Sequence, residues 1–298
     1  MIPNTNAAAA LALAMAGSLT ISSLAAQQPY RRAAEQDHYA RLASLPATPA
    51  GNDVDALRYP LEKWGDLYAW RLLKPYYMTA PVLAFTKLTP PANASAQTRA
   101  ELDYLLKLQA SRTPEEQAWC DQLAGIHYHP LIVNPADKRF VPNRDNLFFV
   151  GRGLGPWFTQ RNLPKTTELL ARVYHDAMIQ VVELKLHYAR PRPHHLEPRL
   201  RTADERIPHG SYPSGHSFAS HVNAEVVARL APGHKESLVQ SAREMAWSRE
   251  LLGVHYPSDS EAGRIFARDF VRFLLDNPTF RHDFAAAQQE WARVVPGS

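Results

Sequence analysis

Apolar side chains recur along this chain at the spacing of an α-helix, and prolines divide the pattern into separate runs. A stripe of period 3.6 buries one face of a helix, and no alternating segment is present from which a sheet could be built. The 24 prolines cluster between the runs, where a missing backbone N–H does least harm. Helices are expected over about 97–111, from Thr113 to about Ala124, over 165–189, from Ser214 to about Leu230, over 235–254, from Ser258 to near Asp276, and over 280–294. Thr113-Pro114-Glu115-Glu116 reads as a capping box with proline at the first helical position, and Ser258 with Glu261 as a second box. Leu61, Trp64, Tyr68 and Leu72 fall on one helical stripe, interrupted by Gly65. Residues 27–57 read as an irregular arm with a short helix near 35–45, and 126–163 and 190–212 as loops. The expected fold is all-α, a single-domain helical bundle over residues 26–298.

Composition narrows the class further. With 298 residues, 45% hydrophobic and 21% charged, the chain has material for an ordinary core. A net charge of +4 suits small anionic substrates, but no Lys/Arg-rich run argues for a nucleic-acid partner. Residues 1–25 carry no charge, with an apolar run from Ala7 to Ala16 and a small-residue cleavage pattern at Ser23-Leu24-Ala25. They predict a signal peptide, although no Lys or Arg precedes the apolar run, and hence a periplasmic or secreted protein. No other run approaches the roughly 18 apolar residues of a spanning helix, so no stable membrane insertion is expected after its removal. Cys120, the single cysteine, excludes an internal disulfide and is expected to be a buried structural thiol. The aromatics of segment 59–85 are expected in the core, with self-association into a homo-oligomer as another use of that surface.

Three short stretches carry the chemistry. Lys185 lies near the end of a long predicted helix, and Arg192 stands between two prolines that stop that helix and stiffen the turn. Arg192 can curl back toward Lys185; Arg190 competes for the same part, and residue chemistry alone leaves the choice open. Pro213-Ser214-Gly215-His216 opens the next helix, with Ser214 as N-cap, Gly215 allowing close approach to the backbone, and unpaired N–H groups favouring an anion. His216 beside such an anion is placed for general-acid work. Arg249 precedes His255 by six residues and can add a bidentate clamp. Asp259 can accept the Nδ1–H of His255, fix the tautomer and leave Nε2 as a nucleophile.

Lys-x6-Arg-Pro, Pro-Ser-Gly-His and Ser-Arg-x5-His-x3-Asp together fix eleven identities between residues 185 and 259. In this the chain resembles the type 2 phosphatidic acid phosphatase (PAP2) superfamily, and most of all its exported bacterial branch, the class A non-specific acid phosphatases. The resemblance implies an all-α bundle, hydrolysis of small phosphorylated substrates through a phosphohistidine, and no metal or other cofactor. It assigns Lys185, Arg192, Ser214, Gly215 and Arg249 to the phosphate, His216 to general acid, His255 to nucleophile and Asp259 to its orientation. Many class A members form disulfides, which this chain cannot. The same motifs occur in vanadium-dependent haloperoxidases, usually much larger, and in lipid phosphatases, which normally have several spanning helices. A non-enzymatic binding module would be expected to lose His255 or Asp259. His127 with His129, His194-His195 and His175-Asp176 lack partners at metal-ligand spacing and read as structural.

Overall fold

The computed structural model describes residues 53–79, 88–202 and 207–295. The expected signal peptide at 1–25 and the short helix near 35–45 lie outside the described residues. Among the described residues ten α-helices follow in order. They are α1 Asp53–Ala56, α2 Ala96–Ser111, α3 Pro114–Ala124, α4 Phe140–Asp145, α5 Pro164–Tyr188, α6 Pro193–Leu196, α7 Gly215–Leu230, α8 Lys235–Leu251, α9 Pro257–Asp276 and α10 Pro278–Val294. Among the described residues there is no strand, so the fold is all-α. α7 lies at the centre, packed against α5, α8 and α9; α10 covers α5, and α2 and α3 lean on α8. Val222, Ala224, Val226 and Val227 of α7 are all within 1% of full burial. Ser217, Ser220, His221 and Asn223 are buried as well, so nearly every face of this helix is enclosed by the bundle.

The long helices follow the apolar periodicity closely, and some carry their own start signal. The Thr113 hydroxyl accepts from Glu116 N–H at 3.2 Å and Thr113 N–H reaches back to the Glu116 carboxylate at 3.0 Å. α5 has no cap of its own: Leu163 precedes Pro164, and Glu290 of α10 supplies the acceptors instead. Its carboxylate takes the N–H groups of Lys165 and Thr166 at 2.7 and 2.8 Å. A carboxylate at a helix N-terminus is favoured by the helix dipole as well as by the bonds.

Three expectations fail. Residues 61–72 form two 3-10 turns, Leu61–Lys63 and Asp66–Leu72, broken at Gly65. Gly65 presses on Pro208, whose ring carbon would lie 2.7 Å from any added Cβ. At the tighter pitch the expected stripe does not face inward: Leu61 and Leu72 are 57% and 81% exposed, while Trp70, Tyr77 and Met78 are buried. The second capping box is also absent, because α9 starts at Pro257 and Asp259 takes the capping part, accepting Tyr256 N–H at 3.1 Å. Glu261 pairs with Arg264 instead. Residues 126–163 are less of a loop than expected, holding α4 and short turns at Asn146–Phe148 and Arg152–Leu154.

Asp176 has a larger part than a polar residue on an amphipathic helix. It is fully buried and accepts the N–H groups of Tyr76, Tyr77 and Met78 at 2.7, 2.7 and 2.9 Å, fastening the incoming segment to α5. Asp176→Ala would strand three donors, two of them buried, and is expected to lower unfolding free energy by about 3 kcal/mol in urea denaturation. An unchanged midpoint would show that the segment is held by its apolar contacts alone.

Candidate active site

The ends of α5, α7, α8 and α9 converge. α5 stops at Tyr188, and Ala189, in the left-handed region at φ 45°, closes it by donating its N–H to the Lys185 carbonyl. The chain then runs through Arg190, Pro191 and Arg192 beside residues 209–211, joined by Ser211 N–H to Arg190 O at 2.9 Å. α8 ends at Leu251, Gly253 turns the backbone at φ 70°, and His255 sits in the turn before α9. Ser214 N–H donates to the Asp259 carbonyl at 3.0 Å, tying the start of α7 to the start of α9. Gly263 makes that approach possible. A Cβ there would lie 2.9 Å from Phe218 N and from the Ser214 carbonyl.

Lys185, Arg192, Arg249 and His255 are all buried, at 1%, 1%, 3% and 3% exposure, so the cations meet the imidazole in a dry space. The Lys185 ammonium donates to the carbonyls of Gly210 and Ser211 at 2.9 and 3.0 Å. Arg192 donates through Nε to His209 O at 3.1 Å and through Nη1 to Val254 O at 2.8 Å. The same Nη1 is 3.1 Å from Nε2 of His255. A guanidinium only donates, so this Nε2 is an acceptor and the ring hydrogen is on Nδ1. Nδ1 faces Asp259 Oδ2 at 3.1 Å. Burial first, then the charges of Arg192, Lys185 and Arg249, hold the His255 pKa well below the ordinary imidazole range. Lys185 is likewise pushed well down, by burial and then by Arg192, with Asp259 opposing and Arg249 adding to the fall.

His216, at the second position of α7, joins this group from the other side. Its Nε2 is 3.2 Å from the Ala124 carbonyl, which can only accept, so Nε2 carries a hydrogen. Burial, then Arg249 and His127, push its pKa well below ordinary, with Lys185 a smaller contributor. The Ser214 hydroxyl accepts from Ser217 N–H at 3.4 Å, capping its own helix. Gly215 is partly exposed at the helix mouth. Beside His216 lies a small, roughly water-sized recess lined by Ile126, His127, Phe149, Tyr174 and Asn223 among others.

The structure also decides between the two arginines. Arg190 turns away from the cluster and binds the far side of Asp259, so Arg192 faces His255. His209 went unremarked in the sequence although it adjoins the second motif; its Nδ1 is 2.9 Å from Arg192 Nη2, and its ring lies against Trp64 at 5.9 Å. Glu101, on α2, gave no sequence signal at all. Cys120 is fully buried, and burial pushes its thiol up to about 12, which makes it inert. Among the described residues no three His, Cys, Asp or Glu side chains gather as a metal site.

With this geometry in place, comparison with known proteins is informative. Residues 169–280 match the model of the PAP2 superfamily. The non-specific acid phosphatase of Providencia stuartii is 29% identical over 141 residues, 46% of this chain and 57% of that protein. The non-specific acid phosphatase of Salmonella typhi is 30% identical over 143 residues with the same shares, and the acid phosphatase of Zymomonas mobilis 36% over 81 residues, 27% and 31%. The chain thus spans only 31–57% of the length of these curated relatives. Among solved structures it resembles a bacterial vanadium-dependent iodoperoxidase at TM-score 0.56 and 20% identity, over 81% of this chain and 64% of that one. A bacterial vanadium-dependent chloroperoxidase gives TM-score 0.52 and 11% identity over 74% and 56%. At those identities the likeness is one of fold.

Lys185, Arg192, Arg249, His216 and His255 therefore lie within electrostatic reach of one another, with excess positive charge. A tetrahedral dianion there would offset the charge that depresses both imidazoles. Saturating inorganic phosphate is expected to raise the pKa values of His216 and His255 by about one unit or more, read from imidazole NMR titrations. Titration curves unmoved by phosphate would mean that the cluster does not receive an anion.

Proposed function

We propose that this chain is an exported phosphomonoesterase that works through a phosphohistidine on His255. The single observation that carries the reading is the fixed tautomer of His255, with Nδ1–H on Asp259 and the Nε2 lone pair directed at Arg192 among the buried cations. A neutral, oriented imidazole is the reactive form of this nucleophile. The acid phosphatase names of the relatives support the substrate class. The uncharged segment 1–25 supports export to the periplasm or beyond. No helix among the described residues is long and apolar enough to cross a membrane, which favours water-soluble esters over membrane lipids.

In the first step the ester docks with its phosphoryl oxygens on Lys185, Arg192, Arg249 and the N–H groups at the start of α7, near Ser214 and Gly215. Arg192 exchanges its contact with Nε2 for one with phosphoryl oxygen. Nε2 attacks phosphorus in line, the N–P bond forms and the P–O bond to the leaving group breaks. Charge spread over the equatorial oxygens meets donors already in place, which is where the rate gain lies. His216 gives a proton to the leaving oxygen. The bound dianion raises the His216 pKa toward the range in which it can donate. In the second step water attacks phosphorus and passes its proton to His216. The N–P bond breaks, His255 returns to its neutral form on Asp259, and inorganic phosphate departs.

His255→Ala is expected to cut turnover of p-nitrophenyl phosphate by roughly 10⁴-fold or more with the helical circular dichroism unchanged. Retained turnover would remove the nucleophile from His255. His216→Ala should cost about 10²–10⁴-fold for alkyl phosphates, whose leaving oxygens need a proton, and much less for p-nitrophenyl phosphate. An equal loss across leaving groups would deny His216 the acid role.

A further inference from the structure

We propose that Arg190 is a positioning residue for His255: it grips Asp259 from behind and keeps the imidazole neutral, with Glu101 as its counter-charge. This rests on the reading of His255 as nucleophile. The Arg190 side chain is 1% exposed and directs both Nη1 and Nη2 into one cluster. Nη1 reaches Asp259 Oδ1 at 2.7 Å and Ser258 Oγ at 2.8 Å, and Nη2 reaches Glu101 Oε2 at 3.3 Å. Its guanidinium carbon lies 3.7 Å from the centre of the Tyr256 ring. Glu101, fully buried, accepts Ser258 N–H at 2.9 Å and Ser258 Oγ–H at 2.8 Å. The cluster thus grips residues 258 and 259 together, and Asp259 has no freedom to rotate. One carboxylate oxygen is committed to Arg190, the other to His255 and Tyr256 N–H.

The electrostatic consequence follows from that division. Asp259, whose Oδ2 lies 3.1 Å from Nδ1, favours an imidazolium at residue 255. Lys185, Arg192, Arg249, His216 and His209 all face His255 and oppose it. Facing Asp259 are Arg190, Lys185, Glu101, Tyr212 and Tyr256. By neutralising the far oxygen, Arg190 weakens the pull of Asp259 on a proton, so Asp259 orients the ring without charging it. Removing the Arg190 charge should let His255 take up a proton at higher pH, where it can no longer attack.

The test compares Arg190→Met with Arg190→Lys, reading the His255 pKa by imidazole NMR and kcat/KM against pH with p-nitrophenyl phosphate. Arg190→Met is expected to raise the His255 pKa by about one unit and move the acidic limb of kcat/KM upward with it, whereas Arg190→Lys keeps both near the parent values. Because Met leaves two buried carboxylates without a cation, Arg190→Met/Glu101→Gln is made beside it and should show the same upward move. A folded Met variant or double variant with an unmoved His255 pKa overturns the proposal, whatever its rate. The NMR reading needs no turnover. An upward pKa shift in a protein that hydrolyses no ester would leave the positioning role standing and sink the phosphatase reading instead.

Discussion

Lys185, Arg192 and Arg249 repel one another, and they are gathered where water is scarce. Two unit charges 4 Å apart at an effective dielectric of about 20 cost about 4 kcal/mol. Burial first, and then the neighbouring cations, depress the pKa values of Lys185 and His255. Such a cluster persists because the rest of the bundle supplies dipoles in place of water. The carbonyls of His209, Gly210, Ser211 and Val254 all turn toward the cations. The backbone of 209–211 can do so only because α5 ends abruptly at Ala189 and the following segment runs alongside it.

The same turns that hold the cations also hold the imidazole. Asp259 caps α9, anchors α7 through its carbonyl, orients His255 and pairs with Arg190, four tasks on one residue. This sharing explains why the start of α7 and the start of α9 cannot separate, and why Gly263 stands at their crossing. It also ties helix capping to chemistry. Any change that frays the first turn of α9 moves the group that fixes the tautomer of His255.

Local signals made most of this legible in the sequence. The long helices announced themselves through apolar period and caps such as Thr113 with Glu116, and the three motifs placed Lys185, Arg192, His216, Arg249 and His255 by short spacings. The failures share a cause, which is that the deciding partner is remote. Leu61 and Leu72 kept a helical spacing, but Pro208 and a 3-10 pitch decided which side faces inward. Glu101 is 89 residues from Arg190, and nothing near it in sequence marks it as a partner of the site. Ser258 and Glu261 satisfied a capping pattern, yet Ser258 was drawn to Glu101 and Glu261 to Arg264.

That distribution of partners bears on what the PAP2 segment can do by itself. Residues 169–280 contain the three motifs but not all that holds them. The carbonyl opposite His216 belongs to Ala124 at the end of α3, the counter-charge of Arg190 to Glu101 on α2, and the ring against His209 to Trp64. Each contact crosses from the N-terminal half onto a different motif element. A motif fixes which groups meet the anion, whereas the surrounding helices fix how acidic, how dry and how still those groups are. Chains that share the motifs and differ in the N-terminal half therefore differ in the carbonyl, the counter-charge and the ring that hold those groups in place.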